Sequence, residues 1–180
     1  MGRLLLELPE EVQSALLAHL LPPSARSEEA AFVFAKAMVK ETDIVFTFVE
    51  WMPVAQDGFV QHCDYYFELT DKTRGGVIKR AHDLGASLVE FHSHLSSRPA
   101  SFSDTDIEGL RQFVPHVWWR LKGKPYMAVV IAPKSFDALA WRTDPNAPEA
   151  VCGILVGGSL LRPTGLTLKD WKDPDDAQSI

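Results

Sequence analysis

The sequence predicts an α+β fold in which a mixed β-sheet is flanked by helices. Segments rich in β-branched and aromatic residues alternate with segments whose apolar residues recur at helical spacing. At 180 residues, with 46% hydrophobic and 23% charged residues, the chain can bury one core without disulfides. No repeat or linker composition divides it. We therefore expect a single domain over residues 1–165 and a polar C-terminal tail over 166–180.

Strands are expected where β-branched and aromatic residues are concentrated. The clearest example is Ile44–Trp51, with the sequence IVFTFVEW. Residues 30–39 are largely apolar, which favours a buried strand and leaves a helix as the alternative. The predicted strands are, in order, 3–7, 30–39, 44–51, 61–69, 87–94, 126–132, 138–142 and 151–156.

Helices are expected from apolar spacing and from residues typical of helix ends. Pro9 suits the first turn of a helix, Gly85 suits a C-cap, and Ser103 suits an N-cap. The predicted helices are 9–21, 70–84 and 104 to about 113, with a turn at 55–58 and a loop at 95–102.

The charge balance argues against binding to nucleic acid, because 24 acidic residues outnumber 18 basic ones and the net charge is −6. The apolar runs are far shorter than the roughly 20 residues that a membrane helix needs. The apolar stretch within residues 1–7 is also too short for a signal peptide. Cys63 and Cys152 form no CxxC pair, which is typical of proteins in a reducing compartment. We expect a cytoplasmic protein.

The residues with the clearest chemical potential are His92, His94 and Asp106. On a strand over 87–94, the two histidines point to the same face because side chains alternate. Asp106 follows in the first turn of the next predicted helix. Two histidines and one carboxylate, with one position left open, form the ligand set of many catalytic zinc sites. The alternative is two core histidines bound to backbone carbonyls, with Ser103 acting only as a helix cap.

This pattern resembles the motif of the JAMM (MPN+) zinc metalloproteases. That motif contains a glutamate, a long gap, His-Ser/Thr-His, seven residues and Ser-x-x-Asp. Here His92-Ser93-His94 is followed by a proline-containing loop and Ser103-x-x-Asp106. Upstream, Glu28–Ala35 is similar to the family pattern E-x-x-G-L-x-L-G, with alanine at both glycine positions. The resemblance covers about residues 9–145.

The chain departs from this motif in three places. Eight residues, not seven, separate His94 from Ser103, so the ligand is expected to be Asp106, with Asp104 as the alternative. Leu95 stands where the family usually has proline. The upstream glutamate is either of two neighbours, Glu28 or Glu29, and strand register favours Glu28.

The resemblance implies a JAMM/MPN-type fold and a role for each residue of the motif. His92, His94 and Asp106 would bind Zn²⁺, Glu28 would be the general base and acid, and Ser103 would hydrogen-bond the developing oxyanion.

The implied activity is that of a zinc-dependent isopeptidase or peptidase, similar to the deubiquitinase-like members of bacterial conjugation systems. It would hydrolyse the bond after the C-terminal tail of ubiquitin or a ubiquitin-like protein, with E1- and E2-like conjugation proteins as possible partners. The alternatives are a metal-free MPN binding module and a JAMM hydrolase that acts on a sulfur-carrier protein or a small peptide.

Overall fold

The computed structural model describes residues 2–172 and has an α+β architecture. The strands are β1 (Leu4–Leu8), β2 (Ala30–Lys40), β3 (Asp43–Pro53), β4 (Phe59–His62), β5 (Phe67–Leu69), β6 (Ser87–Ser93), β7 (Tyr126–Ala132), β8 (Ser135–Trp141), β9 (Glu149–Ala150), β10 (Gly153–Val156) and β11 (Ser159–Leu161). The helices are α1 (Glu10–Leu20), α2 (Asp71–Leu84), α3 (Asp104–Arg120) and α4 (Leu166–Lys172). A short 3-10 turn covers Gln56–Gly58.

Nine of these strands form one mixed sheet in the order β11-β10-β1-β3-β2-β6-β7-β8-β9, and β4 and β5 form a separate hairpin. Near its centre, β6 pairs antiparallel with β2 and parallel with β7. Helix α1 packs on one face of the sheet, and α2, α3 and α4 contribute to the core on the other face. Buried apolar residues on both faces therefore hold β6 in place.

The alternation of side chains along β6 decides which residues face α2 and α3. Leu88 belongs to the core on that side, whereas Val89 and Phe91 belong to the core beneath α1. By the same period of two, His92 points toward the side of α2 and α3. Its backbone is flanked by Ala30 of β2 and Val130 of β7.

The structure confirms most of the predicted elements. Residues 30–39 form a strand and not the alternative helix. Gly85 ends α2 in the left-handed conformation, with φ of 57°, and Ser103 is the N-cap of α3. The side chain of Ser103 accepts a hydrogen bond from the backbone N–H of Asp106.

Two predicted boundaries are wrong. Residues 61–69 are not one strand but part of the β4–β5 hairpin, because a turn closed by the Cys63 N–H and the Tyr66 carbonyl interrupts them. Helix α3 continues past residue 113 to Arg120 despite Pro115. Buried Val114 and Val117 extend its apolar stripe and outweigh the hydrogen bond that proline removes.

The chain after residue 157 contains two elements that the sequence did not predict, β11 and α4. Residues 166–172 of the segment expected to be a polar tail form α4, whereas residues 173–180 lie outside the described part of the chain. Thr167 is buried, donates a hydrogen bond to Asp137, and accepts one from the backbone N–H of Phe102. Helix α4 is thereby tied to the loop that precedes α3.

No helix within residues 2–172 combines the length and the apolar character needed to cross a lipid bilayer.

Replacing Leu16 by Ala should lower the free energy of unfolding by about 2 to 5 kcal/mol. Leu16 is only 1% exposed and packs between α1 and the sheet, so truncation leaves a cavity. Chemical denaturation checks this, with Val39→Ala as the control because Val39 is 71% exposed. An equal effect for both variants would contradict the packing described for α1.

Candidate metal centre

Two imidazoles and one carboxylate converge where β6 ends and α3 begins. One ligand atom from each of His92, His94 and Asp106 can be chosen so that all three lie within 4.8 Å of one another. Oδ2 of Asp106 lies 3.1 Å from Nε2 of His94 and 3.4 Å from Nε2 of His92. Of the two aspartates considered from the sequence, Asp106 joins the histidines, while Asp104 is exposed and outside the group.

Strand geometry brings the two histidines to the same place. His94 lies just beyond β6, and its backbone N–H still donates to the carbonyl of Ile131 at 2.8 Å, which continues the pairing with β7. The alternation of side chains therefore extends through His94. The two rings lie 5.1 Å apart between centroids.

A capping box at the start of α3 orients Asp106. Its Oδ2 accepts a hydrogen bond from the Ser103 backbone N–H at 2.7 Å. In return, the Asp106 backbone N–H donates to Oγ of Ser103 at 3.2 Å. The carboxylate is thus fixed by the local hydrogen bonds that begin the helix.

The electrostatics of the group favour an ionised carboxylate. Burial opposes the charge of Asp106, but His92, His94 and the hydrogen bond from Ser103 outweigh burial and hold the pKa of Asp106 far below its usual range. Burial likewise disfavours a charged His92, yet Asp106 outweighs this and raises the pKa of His92. In the described structure, Nε2 of His92 is buried and makes no hydrogen bond.

Glu28 lies beside this group and Glu29 does not. The residue is 4% exposed, and Oε1 of Glu28 is 3.7 Å from Nε2 of His94. Burial raises the pKa of Glu28 to about 7, although His94 and His92 pull it down. Oε1 of Glu29 instead accepts a hydrogen bond from Gln56 at 3.3 Å. The two neighbours therefore face different surroundings, as extended backbone requires.

Ser103 is exposed at the N-terminus of α3. Its Oγ accepts from the Asp106 N–H, and a hydroxyl group also carries one proton that it can donate. All five residues singled out from the sequence are therefore found around the junction of β2, β6 and α3.

A cavity of about 590 Å³ adjoins the group, between the β4–β5 hairpin and the first turns of α3. His92 and Asp106 line one part of it, and Glu90 and Arg74 line another. Glu90 accepts a hydrogen bond from the buried hydroxyl of Tyr126. Sequence reasoning assigned no role to Glu90, although its position two residues before His92 places it on the same face of β6.

From the sequence, His62 is a candidate for an extra metal ligand, although a surface or hydrogen-bonded histidine is the favoured interpretation. Nε2 of His62 contacts the backbone carbonyl oxygen of Glu28. These residues are 34 positions apart, and no local pattern in the sequence indicates that they meet.

Comparisons with known proteins give no family or function for this site. No family model matches the chain, and no curated protein matches it. A solution structure of a protein from Desulfitobacterium hafniense is similar at a TM-score of 0.47 and 12% identity, covering 87% of this chain and 94% of that one. A protein from Salinibacter ruber gives 0.45 and 15%, covering 91% and 92%. At these scores neither structure bears on function.

In the metal-free protein, Glu28→Gln should raise the free energy of unfolding at pH 8 by up to about 3 kcal/mol. The pKa of Glu28 rises from 4.5 to about 7 on folding, so the folded state holds this proton more tightly than the unfolded state. Wild-type stability therefore falls as pH increases from about 4.5 to 7, and glutamine removes that loss.

Denaturation at pH 4.5 and pH 8 measures the effect. The gain should be small at pH 4.5, where Glu28 is protonated in most folded molecules. Glu11→Gln, at an exposed position of α1, is the matched control. A gain of equal size at both pH values would show that Glu28 is not held in a buried environment.

Proposed function

We propose that this protein is a JAMM-type zinc metallopeptidase that hydrolyses the bond after the C-terminal tail of a ubiquitin-like protein. The observation that carries the proposal is the meeting of His92, His94 and Asp106 with the buried carboxylate of Glu28 beside them. The resemblance in sequence suggested this group of residues, and their proximity in the fold supports it.

The donor set fits zinc. Two imidazole nitrogens and one carboxylate oxygen are common zinc ligands and leave a fourth position for a reacting group. Within the described part of the chain, Nε2 of His92 is buried without a hydrogen bond, as expected for a nitrogen that binds a metal ion. A zinc ion held there would supply Lewis acidity toward water and toward a carbonyl oxygen.

Glu28 is suited to move the proton. A carboxyl group with a pKa of about 7 can accept a proton from water and return it to the leaving amine near neutral pH. Its burial keeps it from bulk water, and its Oε1 lies close to His94. The carboxylate of Glu29 is turned toward Gln56, so Glu29 cannot act as the base in this backbone conformation.

Ser103 is suited to hydrogen-bond the oxyanion. Its position is fixed because Asp106 is its partner in the capping box, so the hydroxyl is oriented before a substrate arrives. A prearranged donor costs little reorganisation when charge develops on the carbonyl oxygen.

The β4–β5 hairpin is suited to bind the extended C-terminal tail of the proposed substrate. The strands β4 and β5 pair only with each other among the described strands, so each has an edge without a strand partner. Phe67, Glu68 and Leu69 of β5 line the cavity that also contains His92 and Asp106. A glycine-rich tail that adds to such an edge is recognised mainly through its backbone. The expected setting is the cytoplasm, alongside E1- and E2-like proteins.

One observation favours a metal-free binding module as the second candidate. The Asp106 carboxylate already accepts a hydrogen bond from His94 and lies close to His92, so the group partly satisfies itself without an ion. Metal content separates the two candidates.

Purified wild-type protein supplied with zinc should contain about one zinc ion per chain. The variant His92→Ala/His94→Ala should contain almost none, because it loses both nitrogen ligands. Elemental analysis measures this, with the exposed His82→Ala as the matched control that retains zinc. A folded wild-type protein that takes up no zinc would overturn the metallopeptidase and leave the binding module.

Glu28→Gln should retain zinc and lose hydrolysis, with kcat lower by at least about 100-fold. Glutamine keeps the shape of the side chain but cannot accept the proton. A panel of ubiquitin-like proteins that carry a fluorescent amine on the C-terminal glycine provides the assay. Activity in Glu28→Gln close to wild type would exclude Glu28 as the base.

A further inference from the structure

The two-residue segment Glu28–Glu29 is held from both sides by hydrogen bonds. On one side, the Glu28 N–H donates to the Cys63 carbonyl at 2.9 Å. On the other, the Glu29 N–H donates to Oγ of Ser93 at 2.9 Å, and the Ser93 N–H donates to the Glu29 carbonyl at 3.0 Å. The direction of the Glu28 side chain therefore depends on the β4–β5 hairpin as well as on β6.

His62 closes a ring of side chains around this segment. Its Nε2 contacts the Glu28 carbonyl oxygen and lies 3.6 Å from Oε1 of Glu29. Its Nδ1 is 3.1 Å from Oε1 of Gln56, whose amide nitrogen donates to Oε1 of Glu29 at 3.3 Å. The imidazole is stacked on Phe59, with the ring centroids 4.1 Å apart and the planes within 6°.

The partners of the ring determine the position of one proton on His62. The Glu28 carbonyl oxygen only accepts, so Nε2 of His62 must be the donor. Nδ1 faces the Gln56 side chain, whose amide group also reaches the Glu29 carboxylate. His62 therefore holds the Glu28 carbonyl, and Gln56 connects His62 to Glu29.

Glu29 is enclosed by the same ring. Its side chain is 13% exposed, and its Oε2 is buried and accepts no hydrogen bond from residues 2–172. A buried polar atom without a partner costs free energy, so the contacts of the other oxygen matter. Oε1 of Glu29 lies near Gln56 and near His62, which is equally buried at 13% exposure.

We propose that His62, bound to the Glu28 carbonyl and packed beside Glu29, is a positioning residue that fixes the backbone of Glu28 and so aims its carboxylate at the metal centre. This inference rests on the proposed function, in which Glu28 is the base. Adjacent glutamates then have different tasks. Glu28 moves the proton, and Glu29 holds the histidine that orients Glu28.

Loss of His62 removes the donor to the Glu28 carbonyl. The peptide between Glu28 and Glu29 then keeps only the hydrogen bond from the Glu29 N–H to Ser93, so the Glu28 carbonyl is held less firmly. A displacement of about 1 Å at a catalytic group is enough to lower a rate by about 100-fold. The proposed metal ligands lie at the end of β6 and on α3, and none of them is among the polar partners of His62, so zinc binding should persist.

The kinetic test compares His62→Ala, His62→Gln and Glu29→Gln with His82→Ala as the control, in zinc-loaded protein with the fluorescent amide substrate. His62→Ala should keep one zinc per chain while kcat falls by about 10- to 100-fold and KM changes by less than about twofold. His62→Gln should recover at least part of kcat, because its amide can donate to the Glu28 carbonyl. Thermal melting verifies that each variant is folded.

A second measurement needs neither metal nor substrate. In ¹⁵N-histidine-labelled protein, Nε2 of His62 should carry a proton that exchanges slowly with solvent, because it is hydrogen-bonded to the Glu28 carbonyl. A wild-type His62 with no proton on Nε2 would overturn the positioning contact.

The outcomes separate this inference from the proposed function. Wild-type protein that binds zinc and hydrolyses the substrate, together with His62→Ala of unchanged kcat, would overturn the positioning role alone. Wild-type protein without hydrolysis would overturn both.

Discussion

The carboxylate of Asp106, which takes part in the capping box of α3, is the group on which the whole site depends. It receives a hydrogen bond from the backbone at the start of α3 and lies against two imidazoles that extend from β6. Sheet and helix are thereby joined through one side chain. Because β6 is paired on both sides and covered on both faces, the histidines have little freedom to adjust, and the helix must bring the carboxylate to them.

Several polar groups of the site are buried at a cost in free energy that a core with only a structural role would avoid. Glu28 is buried with a raised pKa, Nε2 of His92 has no hydrogen bond in the described chain, and Oε2 of Glu29 is equally unsatisfied. Each buried polar atom without a partner costs free energy. Their concentration within one region of the core is typical of functional sites, where local stability is given up for reactivity.

Features set by local chemistry could be predicted from the sequence. The period of two placed His92 and His94 on one face, and Ser103 is the expected N-cap of α3, whereas its reciprocal hydrogen bonds with Asp106 were not predicted. The register of the strand favoured Glu28 over Glu29, and in the structure the Glu28 carboxylate lies near His94 while the Glu29 carboxylate lies near Gln56.

What could not be predicted depends on contacts between distant parts of the chain. The contact between His62 and Glu28 requires the hairpin to fold over the start of β2, and no pattern near either residue indicates it. The extension of α3 through Pro115 is decided by tertiary burial of Val117, which outweighs local preference. The polar composition after residue 165 likewise concealed α4, whose Trp171 packs against the core.

The bond between Thr167 and the backbone of Phe102 has a consequence for how the site assembles. These residues are 65 positions apart, and Phe102 immediately precedes the N-cap of the helix that carries Asp106. During synthesis, β6 and the two histidines at its end emerge before α4. The loop before α3 gains this restraint only when α4 docks, so we expect Asp106 to be fixed beside the histidines late in folding.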